Sequence, residues 1–131
     1  MSVITLKISY FTNLNMDNNI IIDVRGDDYS GGNIPSSINI KSTNYNDILS
    51  YIKKYDKPYD KIIIYCMYCM VRSVGVANRL TKDLQNKNIY LIDGGFSKYF
   101  NYYIKNNPEK IENLDINKWK IKNNIYKHIY D

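Results

Sequence analysis

The chain has little of what marks the special classes of protein. Two cysteines in 131 residues are too few for a disulfide-stapled secreted scaffold. They stand three apart, as Cys66 and Cys69, a spacing that within an α/β pattern points to redox or nucleophilic chemistry in a reducing compartment. No apolar run reaches the length of a membrane span. The opening MSVITLKISYFTNLN also lacks a basic stretch followed by unbroken apolar residues, so a cytoplasmic protein is expected. The net charge of +5 favours anionic substrates, but the lysines are scattered and form no dense basic stripe with interleaved aromatics. Neither a nucleic-acid nor a membrane partner is expected, and oligomeric state is not readable. No segment repeats. What is abundant, isoleucine, asparagine and lysine, is spread along the whole chain and reads as coding bias.

The length suits one domain with a single core. The first element is read at Ile20 to Val24, an apolar β-branched run. It is followed by RGDDYSGGNIPSS, whose glycines and Pro35 exclude regular helix or a central strand. A short strand is expected at Ser37 to Ile40. A helix is expected over Asn44 to Lys54, where Ile48, Leu49 and Ile52 recur at helical spacing, and then a strand from Lys61 to Tyr65. A helix after Arg72 and a strand at Ile89 to Ile92 continue the alternation, and Gly94-Gly95 turns the chain into a segment where Phe96, Phe100 and Tyr103 share a face. The alternation implies an α/β domain with a parallel sheet covered by helices. Past Pro108, a helical tail is expected over about residues 109–131, with Leu114, Ile121, Ile125 and Ile129 on one stripe and Lys118, Lys120, Lys122 and Lys127 around it. A stripe of this kind serves a membrane or partner helix in some proteins, but packing on its own domain is the favoured expectation.

The stretch IIIYCMYCMVRS, from Ile62, sets polar and reactive residues on a strand-to-helix turn. In open α/β sheets that is where ligands bind, because backbone N–H groups converge at the helix start.

Two stretches resemble the rhodanese-like superfamily, in particular the branch of cell-division-cycle dual-specificity phosphatases and eukaryotic arsenate reductases. In DVRGDDYSGGNIP, the residues Asp23, Arg25, Asp28, Tyr29, Gly31, Gly32 and Ile34 match that branch, with Asn33 at the position of its histidine. In YCMYCMVRS, Cys66 and Arg72 give Cys-x5-Arg after an apolar strand, with Tyr65 where relatives often have histidine and Val74 where they often have Gly or Pro. Gly94, Gly95 and Phe96 resemble a further corner. The likeness runs from about residue 20 to 102 and implies a single rhodanese-like domain with helices on both faces of a central parallel sheet.

On this reading Cys66 is the nucleophile, its thiolate stabilised by the loop amides, and Arg72 grips two oxygens of the substrate. The anion-binding loop is Met67, Tyr68, Cys69, Met70, Val71 and Arg72, with Met67, Tyr68 and Met70 as an apolar rim. Ser73 resembles the hydroxyl that tyrosine phosphatases use to assist the thiolate, and is equally suited to cap the following helix. Five residues between Cys66 and Arg72 imply a tetrahedral oxyanion, phosphate or arsenate, where the resembled sulfurtransferases have four. Cys69 is either a resolving thiol or a stand-in for a small residue. Asp27 and Asp28 are the candidate acids. Set against that role, Asp28 is expected to pair with Arg25, and Asp23 to satisfy buried N–H groups. The single histidine, His128, lies in the tail. A thioredoxin-like oxidoreductase is disfavoured, since no proline occurs between Pro58 and Pro108. No metal or cofactor is expected, with glutathione or another thiol as a candidate co-substrate. Sulfur transfer through a Cys66 persulfide and a non-catalytic binding module remain as alternatives.

Overall fold

The computed structural model describes residues 2–85 and 87–119. Its strands are β1 (Val3–Leu6), β2 (Ile20–Asp23), β3 (Ile38–Asn39), β4 (Ile62–Tyr65) and β5 (Ile89–Ile92), and its α-helices are α1 (Tyr45–Lys54), α2 (Arg72–Asp83) and α3 (Gly95–Tyr103). The strands form one wholly parallel sheet in the order β1-β5-β4-β2-β3.

The central strands are short runs of Ile because both their faces are covered. Ile20, Ile22, Ile62 and Ile64 face α1 and α2, meeting Ile48, Ile52, Val76 and Leu80. Ile21, Ile63 and Tyr65 face the other way, into an aromatic layer of Phe11, Phe96, Tyr99, Phe100 and Tyr103. Each such side chain contributes about 1.5–3 kcal/mol on leaving water. The expected elements from Ile20 to Tyr103 are present within a residue or so at most ends. β1 lies before the first element read from the sequence. As an edge strand it pairs with β5 alone and leaves Ile4 and Thr5 exposed, so it has no unbroken buried run to betray it.

The connections place the site. From β2 the chain steps to β3 at one edge, whereas from β4 it steps through α2 to β5 on the other side. The carboxyl ends of β2 and β4 therefore open into a crevice where neighbouring connections diverge.

The tail differs from expectation. Residues 108–110 form a 3-10 turn, and Glu112 forms an isolated antiparallel bridge with Asn33. Helical geometry begins at Ile116, so helical spacing does not apply at Leu114, which is 38 % exposed. Trp119 is the buried residue, stacked on Phe100 with ring centroids 4.1 Å apart. Residues 120–131, with Lys120, Ile121, Lys122, Ile125, Lys127, His128 and Ile129, lie outside the described residues. No helix among the described residues is long and apolar enough to cross a membrane.

Candidate functional site

Cys66 is the first residue after β4, and the chain from there to α2 forms the corner expected from the sequence. Its Sγ lies 3.1 Å from Ser73 Oγ and accepts the Cys69 N–H at 3.3 Å. The Ser73 hydroxyl and the Cys69 N–H thus converge on one sulfur. Ser73 is fully buried in the first turn of α2. It does not cap that helix: Val71 occupies the cap position without a side-chain bond, and Ser73 is already the second helical residue.

The corner is held from behind by the start of α3. The N–H groups of Phe96 and Ser97 donate to the carbonyls of Cys66 and Met67 at 2.9 and 2.8 Å, committing those carbonyls away from the crevice. Gly95 makes this approach feasible. It has φ +64, and a Cβ there would lie 2.7 Å from both carbonyl oxygens, closer than real atoms come. The Gly-Gly pair was visible in the sequence as a corner; its support of the Cys66 loop was not.

The loop residues divide. Met67 is not part of a rim: it is fully buried beneath the loop among Tyr65, Phe96 and their neighbours. Tyr68 is half-buried, and Met70 and Val71 project into solvent at 62 % and 72 % exposure. Together with Cys66 and Arg72 they line a depression of about 10 Å³, room for about one water molecule. Cys69 sits at φ +58, half-buried. Burial pushes its thiol pKa up, an effect the Ser73 hydroxyl and the Ile92 backbone partly offset. Both cysteines are free thiols.

The carboxylates pair differently from expectation. Arg25 is bound by Asp23, through Nε at 2.9 Å and Nη2 at 2.7 Å, and Nη2 also reaches the Gly32 carbonyl at 2.7 Å. Both side chains of this pair are fully buried, and the guanidinium carbon stands 4.3 Å over the Phe96 ring. Asp23 and Arg25 are two apart on extended chain, so their side chains leave on the same side. Asp23 also accepts the Arg25 N–H at 2.9 Å, the part of its expected role that stands. Asp28 accepts the Gly26 N–H at 3.2 Å, a local turn that aims its carboxylate across the crevice at Arg72. Its two oxygens take Arg72 Nη1 and Nη2 at 2.6 and 2.5 Å. Burial opposes the charge on Asp28, but the Arg72 hydrogen bonds and charge outweigh it and hold the carboxyl below its ordinary pKa. Asp27 is exposed.

Two further residues brace the crevice. Tyr65 Oη accepts the Ile34 N–H at 3.1 Å and lies 2.9 Å from Ser37 Oγ, joining β4 to the turn after β2. Asn33, 2 % exposed, donates to the Ile34 carbonyl and Glu112 and accepts from Asn113 at 3.0 Å, tying that turn to the tail. Among the described residues no three His, Cys, Asp or Glu side chains converge as a metal site would require.

The family model of the rhodanese-like domain matches residues 9–102. No curated protein is similar enough to count as a match. Among solved structures, the As-Sb reductase of Leishmania major is similar over 88 % of this chain and 90 % of its own, at 22 % identity and a TM-score of 0.68. Ygr203w of Saccharomyces cerevisiae, a homologue of single-domain rhodanese and of the Cdc25 phosphatase catalytic domain, is similar over 83 % and 86 %, at 19 % identity and 0.65. A rhodanese-related protein of Thermoplasma volcanium is similar over 76 % and 92 %, at 22 % identity and 0.58.

Proposed function

Because this chain belongs to the rhodanese-like domain family, we propose that it is a thiol-based enzyme acting on a tetrahedral oxyanion through a covalent Cys66 adduct, with aryl phosphate monoesters as its substrate class. The observation that carries this reading is the convergence of the Ser73 hydroxyl and the Cys69 N–H on Cys66 Sγ, at the start of a corner that ends on Arg72.

The Cys66 thiolate attacks phosphorus, a P–S bond forms, and the P–O bond to the aryl group breaks. Water then attacks phosphorus, and the sulfur leaves as a thiolate stabilised by Ser73 and the Cys69 amide. Inorganic phosphate is released. Neither carboxylate serves as the acid: Asp28 is kept ionised by Arg72, and Asp27 stands in solvent. The departing oxygen takes its proton from water, so aryl esters turn over and alkyl esters do so poorly. In place of acid catalysis, Asp28 is a competitor. Its carboxylate presents to Arg72 the same pair of oxygens that a phosphate would. With space for about one water in the depression, substrate binding requires Arg72 to exchange Asp28 for the oxyanion.

A second reading, arsenate reduction, is favoured by one observation: the Cys69 thiol borders the same Ser73 hydroxyl as Cys66. There Cys66 displaces water from arsenate to form an S–As(V) bond. Attack of Cys69 or a glutathione thiolate on the Cys66 sulfur forms a disulfide, and the S–As electron pair leaves with arsenic as arsenite.

The test is a parallel assay of 4-nitrophenyl phosphate, an alkyl phosphate, arsenate with glutathione, and thiosulfate with cyanide, using wild type and Cys66→Ser. Aryl phosphate turnover that falls several orders of magnitude in Cys66→Ser is expected. Dominant arsenate turnover selects the second reading. Dominant thiosulfate transfer makes the protein a sulfurtransferase, and no turnover in any assay makes it a binding module.

A further inference from the structure

Resting on the aryl phosphatase reading and extending it, we infer that α2 carries a second anion subsite at Arg79, which selects phosphotyrosine peptides with an acidic residue about three positions from the phosphorylated one. A groove of about 310 Å³ leads from Val71 and Arg72 past Gly75 and Val76 to Tyr45 and Arg79, and it shares Val71 and Arg72 with the depression at Cys66. Arg72 and Arg79 lie seven residues apart on one face of the helix, about 10.5 Å along its axis. Three residues of extended peptide span about 10 Å.

Arg79 is set for an outside partner. It is exposed, and among the described residues it makes no salt bridge. Its guanidinium stacks on the Tyr45 ring at 3.9 Å. Of the nearby carboxylates, Asp83 is engaged by the Tyr45 hydroxyl at 2.7 Å, and Asp47 lines an adjoining hollow that shares Tyr45 and Arg79 with the groove. Between the two arginines the groove floor is open, because a Cβ at Gly75 would meet nothing within 4 Å. The exposed Met70 and Val71 flank the end at which an aryl ring would enter.

Binding to Cys66→Ser protein tests the subsite without turnover. Two fluorescent phosphotyrosine peptides, one with glutamate three residues from the phosphotyrosine and one with alanine there, are compared by anisotropy. The glutamate peptide is expected to bind about fivefold tighter, the scale of one exposed ion pair. The preference should vanish when Arg79→Gln is added. It should also vanish when Gly75→Leu fills the groove, a change that favours the helix and so leaves the fold intact. Equal binding of the two peptides, binding of neither, or a preference that survives Arg79→Gln overturns the inference. Turnover of 4-nitrophenyl phosphate by wild type reports separately on the chemistry at Cys66.

Discussion

Two aspartate–arginine pairs stand within one crevice, one gripped side-on through Nε and Nη2 of Arg25 and the other end-on through Nη1 and Nη2 of Arg72. In Asp23–Arg25 both side chains are fully buried, the arginine has a second acceptor in Gly32, and a phenyl ring covers its face. In Asp28–Arg72 the carboxylate is buried, but the arginine keeps 27 % of its side chain in solvent and borders the cysteine loop. A sealed fork has no partner to exchange with and holds the turn after β2 in shape. On the proposed reading the fork open on one side trades its carboxylate for a ligand, so the same chemistry is structural in one place and responsive in the other.

The largest expected effect separates the two on stability. Asp23→Asn should destabilise the domain by about 3–5 kcal/mol, because it strands a fully buried guanidinium. Asp28→Asn should cost less than half as much, since water reaches Arg72. Urea unfolding of both variants measures this, and equal losses would erase the distinction. Next, Arg72→Lys should weaken inorganic phosphate binding about tenfold in calorimetry, as an ammonium cannot hold two oxygens in a plane. Equal affinity in the two proteins would remove Arg72 from its proposed role. Asp28→Asn should act in the opposite direction, tightening phosphate binding by about three- to fivefold through loss of the competing carboxylate. Weaker binding would show instead that Asp28 positions Arg72 for the anion.

A smaller effect is the pH dependence of the open fork. Asp28 is held below its ordinary value of 3.8, so its contribution to stability is complete above that value and is lost as pH falls through the lower folded-state value. The stability gap between wild type and Asp28→Asn should be constant from about pH 5 to 8 and close toward about pH 2. A gap that instead closes between pH 5 and 8 would contradict the direction of the shift. The smallest expected difference is between the thiols: at mildly acidic pH iodoacetamide should modify Cys66 before Cys69, whose thiol is pushed up by burial. Peptide mapping gives the order, and prior modification of Cys69 would reverse the assignment of the nucleophile.

Periodicity and residue type were enough for the strand–helix alternation from Ile20 to Tyr103. Buried isoleucine runs and helical apolar spacing arise from local geometry that any sheet covered on both faces imposes. The Cys66–Arg72 corner was legible for the same reason, as all its members lie within eight residues of chain. β1 was not, because an edge strand with one exposed face carries little apolar signal, and Trp119 was not, because the stripe was started at Leu114, which precedes the first helical residue, Ile116.

Short windows of sequence therefore encode the order of elements from Ile20 onward and the place of the Cys66–Arg72 corner. Which aspartate faces which arginine, that Met67 is core and not rim, and that Gly95 supports the loop from another helix follow from long-range packing alone. These depend on atoms brought together from as far apart as residues 28 and 72. Arg25 is taken by Asp23 and the Gly32 carbonyl, two and seven residues away, whereas Asp28 takes Arg72 across the crevice.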